Sequence, residues 1–275
     1  MPERPDAPPS ASAEAHRGLV QRTARWFVHA GTIVEIELRK LSKDPWELVI
    51  RAIQPLLWLV VFGSAFSRIR VLPDNTDYTT FLTPGILAQS VTFSSIFFGI
   101  TLIWEKDQGL TQKYLATPIA RSALVVGKLV SAGLRALVQG IVILTVAGLL
   151  GAKLRLDFSA IVGVLVFVAL GAAFFSGLSL GIAALVRTHD RMMGMGQLIT
   201  LPLFFASNAL YPIGLMPPWL QLVATANPMS YLVNGFRGLL VPSVATNLGL
   251  DALVLGTATL AMTLLATWLY PRLAR

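Results

Sequence analysis

The sequence predicts an all-α membrane protein: six transmembrane helices, an N-terminal amphipathic interfacial helix, and a re-entrant helical hairpin after the fifth span. Three observations predict it. Apolar residues make up 55% of the 275-residue chain and charged residues only 13%, where a soluble domain carries about 25% charged residues. Several charge-free stretches approach or exceed the roughly 20 residues needed to cross the hydrocarbon core. The basic residues fall mostly on alternate connections, the arrangement that orients a multi-pass protein. The chain has no cysteine, which excludes a disulfide scaffold, a thiolate nucleophile and a thiolate metal site. Its net charge of +8 would suggest a polyanion partner in a soluble protein, but that placement of the charges speaks for orientation, and no nucleic-acid partner is expected.

Residues 1–18 are rich in Pro, Ala and Ser without an apolar core. They read as neither signal peptide nor anchor but as a disordered cytoplasmic tail. From residue 19 to 44 Trp26, Phe27, Ile33, Ile36 and Leu41 alternate with Arg22, Arg25, Glu35, Glu37, Arg39 and Lys40, which predicts an amphipathic helix lying in the cytoplasmic interface, against lipid headgroups. Lys43-Asp44-Pro45 ends it, because the residue before a proline avoids the helical region. The six-span domain then covers residues 45–275. Its first four spans are read at 52–67, 78–104, 136–152 and 158–186. Residues 192–236 carry no charge but are too long for one crossing, and Tyr211-Pro212, Met216-Pro217-Pro218 and Asn227-Pro228 punctuate them. A fifth span is therefore expected at 192–210, then an outer hairpin at 211–241 that does not cross, then a sixth span at 252–270.

With both termini cytoplasmic, 17 of the 22 Lys and Arg residues lie on inner segments, which is the favoured orientation. No phosphate-binding loop is present: Gly127-Lys128 is followed by Leu129 and lacks the upstream glycine. The three histidines are scattered, no carboxylate lies within a span interior, and no nucleophile elbow occurs. Thus no catalytic residue, no metal site and no cofactor of the chain's own is expected. An active role needs energy from a partner.

The connection between spans two and three reads EKDQGLTQKYLATPIAR. Glu105 and Asp107 stand where the second span leaves the bilayer and Gly109 can turn the chain. Leu110, Tyr114 and Leu115 would form the apolar ridge of a short helix broken at Thr117-Pro118. Such a ridge can dock in a partner's groove or lie on the headgroups, and composition leaves both open. Together with its continuation through Gly127-Lys128-Leu129, the segment resembles that of bacterial ABC type-2 permeases. Leu41-Ser42-Lys43-Asp44-Pro45 followed by Gln54-Pro55-Leu56, and Asn208-Ala209-Leu210-Tyr211-Pro212 through Trp219 to Asn227-Pro228 and Arg237, are similar to the same family in its order and spacing. Gln108 departs from it, standing where many members have Glu or Arg.

The resemblance implies a six-span subunit that pairs with a second permease, homo- or heteromeric, and with a separate P-loop ATPase carrying ATP and Mg. By the resemblance, residues 108–118 are the coupling helix, flanked by Glu105 and Arg121, and the hairpin from Tyr211 to Arg237 caps the outer exit. The function implied is export of an amphiphilic drug or lipid-like substrate across the bacterial cytoplasmic membrane, as in daunorubicin-resistance-like multidrug exporters. A polysaccharide or lipo-oligosaccharide exporter of the same family is the near alternative, and an energy-independent channel or scaffold the distant one. Phe62, Phe66, Phe93, Phe97, Phe204 and Phe205, in spans that face the partner in the family, are candidates to line the pathway; core or lipid-facing packing is the competing role. Gln54, Gln89, Gln139, Gln197 and Asn208 are expected mostly to bond between helices. Gly177 to Gly181 should serve packing. Arg135 is expected to snorkel to the inner interface, and Arg237 to reach either the outer interface, the favoured reading, or a carbonyl.

Overall fold

The computed structural model describes residues 11–43, 46–66, 76–117, 119–186, 188–242, 244 and 246–271; the tail before Ala11 and the Asp44-Pro45 helix stop lie outside them. Among the described residues there are ten α-helices and no strand: α1 Ala11–Lys43, α2 Trp46–Ala65, α3 Tyr78–Asp107, α4 Leu110–Ala116, α5 Arg121–Leu149, α6 Phe158–Leu185, α7 His189–Phe205, α8 Pro218–Ala226, α9 Pro228–Leu240 and α10 Leu248–Leu269. Helix α1 begins at Ala11 rather than Leu19, since Ala and Glu in that segment are strong helix formers.

Four helices, α3, α5, α6 and α10, are long and apolar enough to cross a membrane, and Val49–Ala65 within α2 is apolar but shorter. Three of the expected spans correspond closely to α3, α6 and α10. The third does not: α5 starts at Arg121, well ahead of residue 136, because Lys128 and Arg135 find carboxylates inside the bundle. Its far end is set by Gly151, whose φ of 87° turns the chain into an extended link to α6.

Helix α3 is buried on nearly every face, its polar residues Thr83, Gln89, Ser90 and Glu105 included. In its most apolar stretch 78% of the residues are buried, against 17% for α10. Accordingly α3 is the trunk, packed by α2, α5, α6, α7 and α9, while α10 lies at the margin against α6 and α9. The small residues expected to pack do so. Gly177 and Gly181 admit Met262 and Leu269 of α10, and Ser179 accepts from Gly99 N at 2.9 Å and donates to Ile96 O, joining α6 to α3.

Truncating a trunk residue leaves a cavity. Leu82→Ala, fully buried, should therefore cost about 2–5 kcal/mol, read as a lower melting temperature in detergent. Leu260→Ala, on the exposed face of α10, should stay within about 0.5 kcal/mol.

Candidate functional site

Helix α3 ends in a tight corner. Gln108 N and Gly109 N donate to Trp104 O and Lys106 O, and Gly109 takes a φ of 72°, a left-handed conformation that costs a side-chain-bearing residue steric strain. The chain thereby reverses at once into α4, which Thr117 closes by donating its hydroxyl to Tyr114 O at 2.6 Å. Pro118 and the side chain of Leu115 lie outside the described residues. The face α4 presents differs from the expected one. Tyr114 turns inward, its ring 5.7 Å from Lys128 Nζ, and Leu110 is half-buried. Gln112, Lys113, Ala116 and Thr117 are exposed. An apolar ridge beside a bundle wins more by packing on that bundle than by facing outward.

Beneath α4 lies a buried ion cluster drawn from three helices. Glu105 of α3 is held by Lys40 Nζ of α1 at 2.7 Å and by Lys128 Nζ of α5 at 2.5 Å. Glu37 of α1 receives Lys40 at 3.1 Å and Arg135 Nη2 of α5 at 2.9 Å, with Lys128 at 3.6 Å. Glu37, Glu105, Lys128 and Arg135 are all at most 5% exposed. The Phe98 ring stands 5.4 Å from the Arg135 guanidinium, and Tyr270, from the end of α10, is buried in the same apolar surround. Arg135 therefore does not snorkel; reaching a buried carboxylate avoids the cost of an unpaired charge. Burial alone would lower the Lys40 pKa, but the Glu105 and Glu37 carboxylates outweigh it and hold the ammonium above its ordinary value.

Helix α1 can approach so closely because Gly127 of α5 lies beneath it, where a Cβ would crowd Ala30 O and the Ile33 side chain. Trp26 Nε1 donates to Ser122 Oγ at 2.9 Å, a second tie between the two helices. Of the residues singled out beside this loop, Glu105 belongs to the cluster, while Asp107 and Arg121 are exposed. Glu37, Lys40, Lys128, Arg135 and Tyr270 were not anticipated as a set. The usable signal was Glu37 and Lys40 three residues apart opposite Lys128 and Arg135 seven apart, each pair on one helix face.

At the other end of the bundle the buried charges among the described residues are Arg237 and Asp251. After α7 the chain passes through a 3₁₀ turn, Ile213–Leu215, into α8, breaks at Asn227-Pro228 and continues as α9. Asn227 is the joint: its Oδ1 accepts from Met229 N at 2.9 Å, and its Nδ2 donates to Leu203 O at 2.7 Å and Ala206 O at 3.1 Å. These carbonyls end α7 and would otherwise be orphaned. Tyr211 adds a bond to Phe205 O at 2.7 Å, Pro212 caps the 3₁₀ turn, and Trp219 is exposed. Arg237 does not reach a surface. It is 5% exposed, donates to Asn208 O at 2.8 Å and stacks 4.0 Å from the centre of the Phe81 ring. A carbonyl and a π-face together hold the cation. Asn208 also bonds Asn234 at 2.5 Å, and Asn234 reaches Asp251 of α10.

The candidate pathway aromatics separate into two groups. Phe62, Phe66, Phe204 and Phe205 join the unanticipated Trp58 and Tyr78 in a run of ring contacts across α2, α7 and the start of α3, with Trp58 and Phe62 stacked at 4.9 Å. Phe204 is fully buried and is a core residue rather than a lining one. Phe93 and Phe97 pair at 4.3 Å on the one half-open stripe of α3.

Comparison with known proteins agrees with this architecture. The family described as ABC-2 type transporter matches residues 29–241. A protein named as a transport permease, ycf38, of Pyropia yezoensis is 32% identical over 200 residues, covering 71% of this chain and 68% of that protein. The daunorubicin resistance ABC transporter permease protein DrrB1 of Streptomyces coeruleorubidus is 26% identical, covering 80% of this chain and 78% of its own. Nodulation protein J of Rhizobium leguminosarum bv. viciae is 26% identical over 66% of this chain and 70% of its own.

Breaking the cluster strands a buried charge. Glu105→Ala should destabilise by about 3–5 kcal/mol, and replacing Glu105 and Lys128 together by Met and Leu should restore most of the loss, both read from thermal unfolding in detergent. Lys40→Met tests the sign of the Lys40 shift. Because that pKa is raised, its stabilisation is complete below the unfolded value of about 10.4 and is lost as pH rises through the folded one. The melting-temperature gap between wild type and Lys40→Met should be constant near neutrality and narrow in strong alkali.

Proposed function

Because this chain belongs to the ABC-2 type transporter family as a transport permease, and so is a multi-pass membrane protein, we propose that it is the membrane-spanning subunit of an ATP-driven exporter of amphiphilic, drug-like or lipid-like molecules. In this reading α2, α3, α5, α6, α7 and α10 are the six spans, and α8 and α9 form an outer re-entrant hairpin. Both termini and α4 lie on the inner face of a bacterial cytoplasmic membrane, as the distribution of Lys and Arg favours. A separate P-loop ATPase, with its ATP and Mg, docks on α4, and a second permease subunit completes the pathway.

Support comes above all from how α4 is mounted. It packs through Tyr114 onto the ion cluster, which joins α1, α3 and α5, and turns a polar face, Gln112 and Lys113, outward. A push on that face is therefore borne by three helices rather than by one loop. ATP binding can drive the spans only through contacts that differ between nucleotide states, and α4 is where such contacts would form. Within the hairpin α9 is largely buried in the bundle while α8 buries Ala224 alone, and at the break between them Asn227 bonds the free carbonyls, as non-helical backbone at membrane depth requires. The ring contacts from Phe205 to Tyr78, and the Phe93–Phe97 pair, offer the apolar, π-rich surface that an amphiphile would slide along. The relative named as a daunorubicin resistance ABC transporter permease protein supports cargo of that class.

Affinity purification of the tagged chain from its native membranes should bring down a P-loop ATPase. Charge reversal of the outward face, Lys113→Glu with Gln112→Glu, should weaken that association by about tenfold or more and leave the melting temperature unchanged. A chain that comes down without an ATPase, or transport that persists without ATP, would instead favour a channel.

A further inference from the structure

Several buried hydroxyls in this bundle return to their own helix. Thr83 donates to Thr79 O, Ser131 to Gly127 O, Thr200 to Gly196 O and Thr259 to Leu255 O, so each is satisfied without a neighbour. Thr92 and Ser95 of α3 and Ser176 of α6 behave otherwise. Their hydroxyls have no hydrogen-bond partner among the described residues, and the same holds for Gln89 Oε1 of α3 and Gln139 Nε2 of α5. None of the five residues is more than 2% exposed. Polar groups buried in this way are costly unless something bonds them.

The five stand together, framed by two ties. Ser90 Oγ donates to Gln139 Oε1 at 3.4 Å, joining α3 to α5, and Ser179 joins α6 to Gly99 N and Ile96 O of α3. Gln89 is next to Ser90, and Ser95 is next to Ile96. Helices α3 and α6 both run toward the ion cluster, where Leu102 and Ala183 share one apolar core. Thr92 and Ser176, each about one turn before the second tie, therefore stand at one level on facing sides. From Gln89 to Ser95 is about 9 Å along the helix, at the middle of Tyr78–Asp107. A cavity of about 90 Å³ adjoins the Gln139 turn, lined among others by Leu87 of α3, Gly140 of α5 and Val168 of α6. That is several times the space one water needs.

The chemistry of the set selects its ligand. A cation would serve the oxygens and repel the Gln139 N–H, while an anion would serve the donors and repel Gln89 Oε1. Water donates and accepts, and so matches every member. We propose that this seam between α3, α5 and α6 binds two or more water molecules, since one water makes at most about four bonds. Bonds through water are nearly as favourable as direct ones, which makes the seam a wet, exchangeable contact inside an otherwise apolar core. It does not rest on the exporter reading.

X-ray radiolysis of the full chain in native membranes, with oxidised peptides located by mass spectrometry, tests it. A water split in place marks the side chains it touches without access from bulk solvent. The reporters are Val91, Ile96 and Phe175, each next to an unbonded group, and the controls are Leu59, Phe204 and Leu255; all six are fully buried. The expected result is oxidation of at least one reporter and of no control, lost when Thr92→Val and Ser176→Ala are combined. Unmarked reporters, or controls marked equally, would overturn the proposal. The melting temperature in detergent gives a second measurement with a definite sign. Thr92→Val keeps the shape of the side chain and removes the hydroxyl. In a dry seam that hydroxyl is a pure cost and its loss raises the melting temperature; in a wet one its loss breaks bonds to water and lowers it. A raised melting temperature would overturn the proposal. So would a wild-type melting temperature that rises in sodium chloride but not choline chloride and loses that response in Thr92→Val, the mark of a cation site. None of these measurements involves the ATPase, so failure here is distinguishable from failure of the exporter reading.

Discussion

Two buried carboxylates, Glu37 and Glu105, hold one end of this protein together. Neither is stable there alone, since an uncompensated charge in an apolar surround costs several kcal/mol. Lys40, Lys128 and Arg135 arrive from two helices to neutralise them. The cluster fixes where α1 lies, how far α5 extends as helix, and what α4 rests on. Its value is in specificity: few other arrangements of these helices would leave all five charges satisfied.

The opposite end is built with different forces. Carboxamides do most of the joining there, with Asn227 capping α7 and Asn208 and Asn234 linking the elbow to α9 and, through Asp251, to α10. The single buried cation, Arg237, is met by a carbonyl and an aromatic face instead of a carboxylate. These bonds are mostly neutral, and each joins one pair of elements. One end is thus a single connected cluster of charges, and the other a set of separate ties.

Between the two ends α3 acts as the trunk because other helices cover it on nearly every face. Only the stripe through Phe93 and Phe97 is partly uncovered, beside the helices α2 and α7 whose own outer faces are apolar. The aromatic contacts of Trp58 with Phe204 and Phe205 close the outer part of that region.

What the amino-acid sequence determined by itself was whatever depends on local composition. The helices near residues 78–107, 158–185 and 248–269 were evident because long apolar runs have no other stable fate. The break at Asn227-Pro228 and the corner at Gly109 were evident because proline and glycine act on their own backbone. The absence of a phosphate loop was evident from the letters alone. The tertiary structure decided everything that needed a partner distant in the chain. Lys128 and Arg135 looked like a basic approach to a span until Glu37 and Glu105 met them, and Arg237 looked like an interfacial residue until Phe81 and Asn208 enclosed it. Tyr114 could face a partner or the headgroups until its ring turned in toward Lys128, and Phe204 could line a pathway or pack in the core until the fold buried it. A charge or a ring carries no record of its distant neighbours in local sequence, and its free energy is set by those neighbours; that is why only the fold could place it.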